Sequence, residues 1–351
     1  MEEKKKKNGI WKRVVLTVVC VVLALLLGVM VFATIYIENL MNQMGRPDDS
    51  TLSSEEIDDL LKEEGSLPSG TIDWATEPEY TIDGEHIFNI LLIGQDRREG
   101  EGRQRSDAMI LCTINTKAKT LTMTSFMRDL YVPIPGYRDG RINTCYPLGG
   151  MPLLNQCLKL NFGIEVDGNI EVDFNGFVEV IDLLDGVDLH LTASEVNYMN
   201  GTEASLAAPG GSWGLKAGMN RLNGEQALEY SRIRHIVSDD NSLRPDSDFG
   251  RTYRQRNVLM AIMEKAKTLP LTKLDALAKS IVKLVTTDME NSEIMKYITM
   301  LLPMLGELQV TSMRIPADGA FTDEVTSNGL WVLVPDLKKN QQLLADALKD
   351  E

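Results

Sequence analysis

Val14 to Ile37 is an unbroken run of 24 uncharged residues, rich in Val and Leu. At about 1.5 Å per residue a helix of this length spans about 36 Å, enough to cross a hydrocarbon core of about 30 Å with some tilt. The run is long for a signal-peptide core and no small-x-small site ends it, so it reads as an uncleaved signal anchor. Six Lys/Arg and two Asp/Glu precede it and acidic residues follow. The positive-inside rule therefore puts residues 1–13 in the cytoplasm and residues 38–351 outside, a single-pass protein of the cell membrane.

Charge narrows the partners. The chain carries a net charge of -15, and the first thirteen residues are positive, so everything beyond the membrane run is strongly acidic. Such a domain repels a polyanion, which argues against nucleic acid. Glu38 to His86 holds fourteen Asp/Glu against two Lys/Arg and reads as a solvated linker, with EEIDDLLKEE as a short helix inside it. Of four cysteines, Cys20 lies in the membrane run and Cys112 in an apolar stretch. Cys145 and Cys157 remain, either as a disulfide or as two buried thiols.

From Ile87 the pattern changes to short apolar runs (IFNILLI, AMILCTI, TLTMTSF) between turn signals, followed by helical stretches at 149–161, 174–184 and 224–229. This alternation predicts an α/β or α+β fold with helices around a mostly buried sheet. A helix is expected from near Arg251 to Thr268, where Pro270 stops it. Further helices are expected at 271–287, 292–305 and 336–349, with a strand at 308–315. The residues after 268 then form an extension packed on a domain spanning 87–268.

Basic residues are unevenly typed. Arg97 to Arg256 contains fourteen Arg and four Lys, whereas the rest of the chain has three Arg and fifteen Lys. Arginine holds carboxylate or phosphate oxygens through two parallel hydrogen bonds, so this bias suits either structural Arg–carboxylate pairs or an anion site. In DFGRTYRQRNVLMAIMEKA, Arg251, Arg254 and Gln255 share a stripe with apolar Val258 and Ile262, which aims arginine toward the core. Asp246, Ser247 or Asp248 would cap that helix. In EYSRIRHI, a strand would put Arg232 and Arg234 on one face and Ile233 on the other. The loop GQDRREGEGRQRSDAM offers Asp96 and Asp107 beside Arg98 and Arg105 at a strand end, a setting for a hard divalent ion that shares ligands with a phosphate, or for an ordinary surface cluster. There is no zinc spacing, no phosphate-binding GxxxxGK[ST] loop, no dinucleotide fingerprint and no serine elbow.

Taken in order, GxDxR with RSD, SFMRD, RIN followed by a tyrosine and Gly-Gly, ALEYSRIRH and DFGRxxRQRxVL resemble the LytR-CpsA-Psr family from about Ile87 to Lys267. The chain departs from that pattern at Met127, where the family often has proline, and at Thr144 and Cys145. The resemblance implies a magnesium-dependent phosphotransferase that moves a glycopolymer, such as teichoic acid or capsule, from a polyprenyl-diphosphate carrier to peptidoglycan outside the cell. It implies Asp96, Asp107, Arg128 and Arg251 as catalytic residues, with Asp96 and Asp107 holding the metal. Arg98, Arg105, Arg232, Arg234, Arg254 and Gln255 would then bind the diphosphate, and apolar helices would flank a lipid-chain tunnel. A lipid-diphosphate binding module or regulator, and a polyprenyl-diphosphate pyrophosphatase, are the competing expectations.

Overall fold

The computed structural model describes residues 35–48, 51–68, 72, 74, 78, 80–95, 102–201, 213–234, 236, 248–270, 277–304 and 306–348. The expected membrane run lies outside these, apart from residues 35–37, and among the described residues no helix is long and apolar enough to cross a membrane. The chain divides into two compact units, Met1–Met44 and Gly45–Glu351. In the first, residues 35–41 are helical.

The second unit begins with helix α1 (Ser54–Glu64). Its strands are β1 (Ile87–Gln95), β2 (Ser106–Asn115), β3 (Thr120–Phe126), β4 (Tyr131–Val132), β5 (Gly140–Arg141), β6 (Gly168–Asp173), β7 (Val187–Leu191), β8 (Gly218–Leu222), β9 (Val285–Thr287), β10 (Gln309–Ile315), β11 (Phe321–Val325) and β12 (Trp331–Pro335). A six-stranded mixed sheet runs in the order β10-β3-β2-β1-β6-β9. β1 pairs antiparallel with β2 and parallel with β6, while β10 joins parallel to β3. β1 is apolar on both faces because it lies inside the sheet and helices cover both sides. Its one central polar residue, Asn89, is fully buried and fully engaged. Its amide donates to the carbonyls of Ile82 and Glu165 at 2.8 Å each, and its oxygen accepts the Thr113 hydroxyl at 2.8 Å.

Helix α2 (Cys145–Phe162) packs on one face of the sheet with the main core, kinking at Gly149–Gly150. Gly163 ends it in the left-handed region, φ 68°, where a Cβ would meet the Tyr80 carbonyl oxygen at 2.0 Å. Helices α3 (Phe174–Leu183), α4 (Ala193–Met199), α5 (Gly224–Arg232) and α6 (Asp248–Lys267) gather with the β7–β8 hairpin around a second core of Leu189, Leu222, Tyr230 and Val258. Helices α7 (Asn291–Leu301) and α8 (Leu337–Leu348) complete the second unit's labelled helices, Tyr297 of α7 meeting Phe88 edge-on at 5.6 Å. Cys145 and Cys157 are buried free thiols. Burial, then the neighbouring Cys157 thiol, pushes the Cys145 thiol well above its ordinary range.

The architecture matches the expected helix-flanked mixed sheet, with three corrections. A boundary at 268 cuts through the sheet, since β9 and β10 both come from later residues. Of the helix expected over 271–287, residues 277–281 are helical and 271–276 lie outside the described residues, but the end is β9, where the β-branched run Val285-Thr286-Thr287 favours a strand. The acidic segment is not all solvated spacer: Ile57, Leu60 and Leu61 of α1 pack against the main core and Glu64 is 1% exposed.

Candidate functional site

The site forms where β1 and β2 end. Gly94 pairs with Ala108 and Gln95 with Ser106, which leaves Asp107 as the extra residue of a β-bulge. In a regular ladder consecutive side chains point to opposite faces. Here the bulge turns Asp107 toward the side of Ala108, and both line one cavity of about 350 Å³.

Two arginines from different elements close on that carboxylate, and two more stand nearby. Arg128, just after β3, donates from Nη1 to Asp107 Oδ1 at 2.6 Å. Its Nε lies 3.7 Å from Asp129 and 3.6 Å from Asp248. On the first turn of α6, Arg251 donates from Nη2 to Asp248 Oδ2 at 2.7 Å and to the Asp107 carbonyl at 3.3 Å, with Nη1 3.9 Å from Asp107 Oδ1. Arg234 approaches Asp248 at 3.8 Å, and the Arg232 guanidinium sits 4.7 Å from the Phe174 ring centroid. Burial, more than neighbouring charge, pulls the Arg251 guanidinium down to about 10, with Asp248 opposing that shift and Arg128 and Arg234 adding to it. Burial likewise pushes the Asp248 carboxyl up against the pull of Arg251 and Arg128. Arg128 is also buried, but Asp248, Asp129 and Asp107 outweigh desolvation and hold it above its ordinary value. A crowded set of guanidinium groups, one of them deprived of water, is what a multiply charged anion would relieve.

A second, apolar cavity of about 250 Å³ opens directly from this polar one. Gly94, Ala108, Phe174, Ser231 and Gln255 line both. It continues between the sheet, at Leu92, Ile110 and Ile170, and α6, at Leu259 and Ile262. A third cavity of about 400 Å³ shares Ile170 and extends along the next positions of the same strands, Ile90 and Cys112. Period two in β1 and β2 thus makes a continuous apolar strip leading away from the arginines. A side chain at Gly94 would crowd Ala108 at 3.2 Å, which keeps the junction open.

Of the residues singled out in the sequence, Asp107, Arg232, Arg234, Arg251 and Gln255 line the polar cavity, and Arg128 holds Asp107 from behind. Asp96 and Arg98 lie outside the described residues. Two others lie away from that lining. Arg105 is not among the cavity's lining: it pairs with Glu63 and Glu64 at 3.0 Å each. Arg254 also leaves the stripe, because at i+3 its side chain turns from the cavity that Gln255 faces. Buried at 3% exposure, it bonds Glu195 at 2.7 Å and the Ile233 carbonyl at 3.1 Å, tying α6 to α4. Arg254→Ala should therefore act on stability, lowering it by about 3–5 kcal/mol in chemical denaturation because Glu195 is left buried without its partner. EYSRIRHI is not a strand: α5 runs to Arg232 and Ile233 follows in extended backbone, φ -55° and ψ 128°. Burial of Ile233 still leaves Arg232 and Arg234 on the same cavity.

The sequence marks Asp129 only as a polar group at a strand end, not as a partner of Arg128 and Arg141, and Asp248 only as a cap. Sequence reasoning missed Phe174 and Tyr198 from the wall. Asp129 stands beside Arg128 in SFMRD, a signal that was available; Phe174 and Tyr198 reach the site only through the fold. Among the described residues no group of three or more His, Cys, Asp or Glu is spaced to hold a metal. Asp107, 30% exposed at the side chain and facing a cavity of diphosphate size, nonetheless fits the manner in which magnesium is held by one or two carboxylates and substrate phosphates.

The model of the LytR_cpsA_psr family matches residues 53–349. The regulatory protein MsrR of Staphylococcus aureus is 31% identical over 267 residues, 75% of each chain. The polyisoprenyl-teichoic acid–peptidoglycan teichoic acid transferase TagT of Bacillus subtilis is 34% identical over 192 residues, 53% of this chain and 55% of that protein. A solved structure of TagT bound to LIIa-WTA superposes with a TM-score of 0.57 at 26% identity, covering 81% of this chain and 98% of the other. With the match running from α1 through α8, the chain belongs to the LytR_cpsA_psr family.

Proposed function

We propose that this chain is a membrane-anchored phosphotransferase that moves a glycopolymer from a polyprenyl-diphosphate carrier to peptidoglycan, outside the cell. The observation that carries this reading is the shared wall between an arginine-lined cavity and an apolar channel. An isoprenoid diphosphate has that chemistry, an anionic head on a long apolar chain. TagT, a relative, is named for this reaction and has been solved with a teichoic acid ligand. The membrane run serves the same end, since a lipid carrier stays in the bilayer and its enzyme must work within a linker's reach.

The reaction joins an acceptor hydroxyl to the sugar-linked phosphorus and breaks its bond to the bridging oxygen, releasing polyprenyl monophosphate. Little covalent work falls to the protein in such a transfer; it positions the groups and neutralises charge. Arg251, Arg232 and Arg234 would hold the diphosphate oxygens and stabilise the charge that grows on the leaving phosphate. Arg128 keeps Asp107 aimed into the cavity, where its carboxylate lies within reach of the acceptor proton. Magnesium is the cofactor we assign, with Asp107 and the sequence-matched Asp96 as its carboxylates; bound there it would neutralise phosphate charge.

The test combines the full chain in detergent with magnesium, a synthetic polyprenyl-diphosphate oligosaccharide and short uncross-linked peptidoglycan, followed by mass spectrometry. Phosphodiester-linked glycan plus polyprenyl monophosphate is the expected result. Monophosphate without glycan transfer would favour the pyrophosphatase, and unchanged bound carrier the binding module or regulator. Within the same assay, Leu259→Trp should raise KM about tenfold for a long-chain donor by filling the channel, and leave a donor of truncated chain unaffected. Equal KM for both donors would show that the chain runs elsewhere.

A further inference from the structure

α1 ends on an electrostatic contradiction. Its last turn holds Glu63 and Glu64, next to the helix C-terminus, where the macrodipole is negative and a carboxylate is disfavoured. Glu64 is also 1% exposed, so water does not stabilise it. Two arginines do. Arg141 of β5 holds it through a two-pronged pair, Nε to Oε2 at 2.8 Å and Nη2 to Oε1 at 3.0 Å, and Arg105 adds a bond to Oε1 at 3.0 Å. Burial pushes the Glu64 carboxyl up, but Arg141 and Arg105 outweigh it and hold it below its ordinary value.

Arg141 does not stop at Glu64. Its Nη1 donates to Asp129 Oδ1 at 3.3 Å, and Asp129 Oδ2 lies 3.7 Å from Nε of Arg128, whose Nη1 holds Asp107. The helix end is itself fixed from outside the site. Gly65, φ 64°, lets it approach the β11–β12 turn, where a Cβ would meet Thr326 Oγ1 at 2.9 Å. Ser66 accepts from Ser327 N at 2.9 Å, and Asn328 donates to the Lys62 carbonyl.

We propose that Glu64 is a positioning residue for phosphoryl transfer: through Arg141 and Asp129 it sets the pose of Arg128 and so the aim of Asp107. The inference rests on the transferase reading and extends the site to the segment that follows the membrane run. Glu64 touches no reacting atom. Its loss leaves Asp129 as the carboxylate partner of Arg141, which turns onto it and draws it from Arg128, so that Arg128 is left with fewer carboxylates to fix its pose.

The experiment compares the full-length parent with Glu64→Gln, with the charge-balanced pair Glu64→Gln/Arg141→Gln, and with Glu63→Gln as control, since Glu63 is two-thirds exposed and its carboxylate meets Arg105 Nη2, off the path through Arg141 and Asp129. Steady-state transfer is measured alongside thermal unfolding, and each protein is crystallised. Glu64→Gln should lower kcat on the order of tenfold to a hundredfold with KM within about twofold, because misaim costs the transition state and not donor binding. The double variant should recover the parent's melting temperature but not its kcat, and Glu63→Gln should match the parent. A merely structural Glu64 predicts the opposite, a double variant as fast as the parent once stability returns, and that result overturns the proposal. Failure of the parent to transfer glycan would sink the transferase reading instead. Positioning is then read from the crystals alone, where Arg128 keeping its bond to Asp107 in Glu64→Gln overturns it and a displaced Arg128 upholds it.

Discussion

Asp107→Asn is expected to reduce glycan transfer by about a thousandfold or more while leaving a folded protein with the parent's melting temperature to within a few degrees. The side chain is 30% exposed and contributes to no core cluster, so its charge is not needed for packing. The isosteric amide keeps the bulge and can still accept from Arg128. What disappears is the negative charge at the cavity wall, and with it the group that would draw the proton from the acceptor and bind a divalent cation. Removal of a single group acting on developing charge costs on the order of a hundredfold to a thousandfold in comparable sites, and two roles are lost here at once. The measurement is single-turnover transfer at saturating donor, which separates chemistry from binding. Turnover at the parent's rate would remove Asp107 from the mechanism.

How much of this site is legible in the sequence follows from which interactions are local. The strands IFNILLI, AMILCTI and TLTMTSF and the helix from Asp248 are readable because period and boundary residues act within a few positions. Arg251 and Gln255 on one face follow from helical spacing, and both reach the cavity. Arg254, one position away, does not, because Glu195 on α4 supplies a buried carboxylate that only the tertiary fold brings near. The bulge that aims Asp107 is invisible to pattern reading, since the alternation rule assigns it the opposite face from Ala108. β11 and β12 were equally hidden as elements, although Asn328-Gly329 between apolar runs is a hairpin signal.

Glu64 shows the other side of this limit. Composition places it in an acidic tract, fourteen acids against two bases from Glu38 to His86, that reads as solvated. α1 departs from it because Ile57, Leu60 and Leu61 give the helix an apolar face to bury, which carries Glu64 in with it. A buried charge of this kind is stable only with partners, and those partners, Arg105 and Arg141, are 41 and 77 residues away. No local rule pairs residues at such separations. The engagement of the Arg105 guanidinium by α1 is therefore not legible in the sequence.

Arg251→Lys is expected to be the second most damaging change, although it preserves the formal charge. Arg251 is 3% exposed and its guanidinium spans two partners, the Asp248 carboxylate at 2.7 Å and the Asp107 carbonyl at 3.3 Å, with a second nitrogen toward Asp107 Oδ1. A planar fork can do this and still present an edge to the cavity; an ammonium offers one charge centre on a flexible stem. Lysine would settle on Asp248, the nearest carboxylate, and withdraw from the diphosphate. Lysine also deprotonates more readily where burial is strong, and burial already pulls the Arg251 guanidinium down to about 10. The variant should thus lose on the order of a hundredfold in kcat/KM, with the deficit shrinking at lower pH as the ammonium regains its proton. A pH-independent deficit would mean that lost geometry alone accounts for the effect. A variant with the parent's kcat/KM would mean that Arg251 serves Asp248 and the helix start, and that Arg232 and Arg234 bind the diphosphate without it.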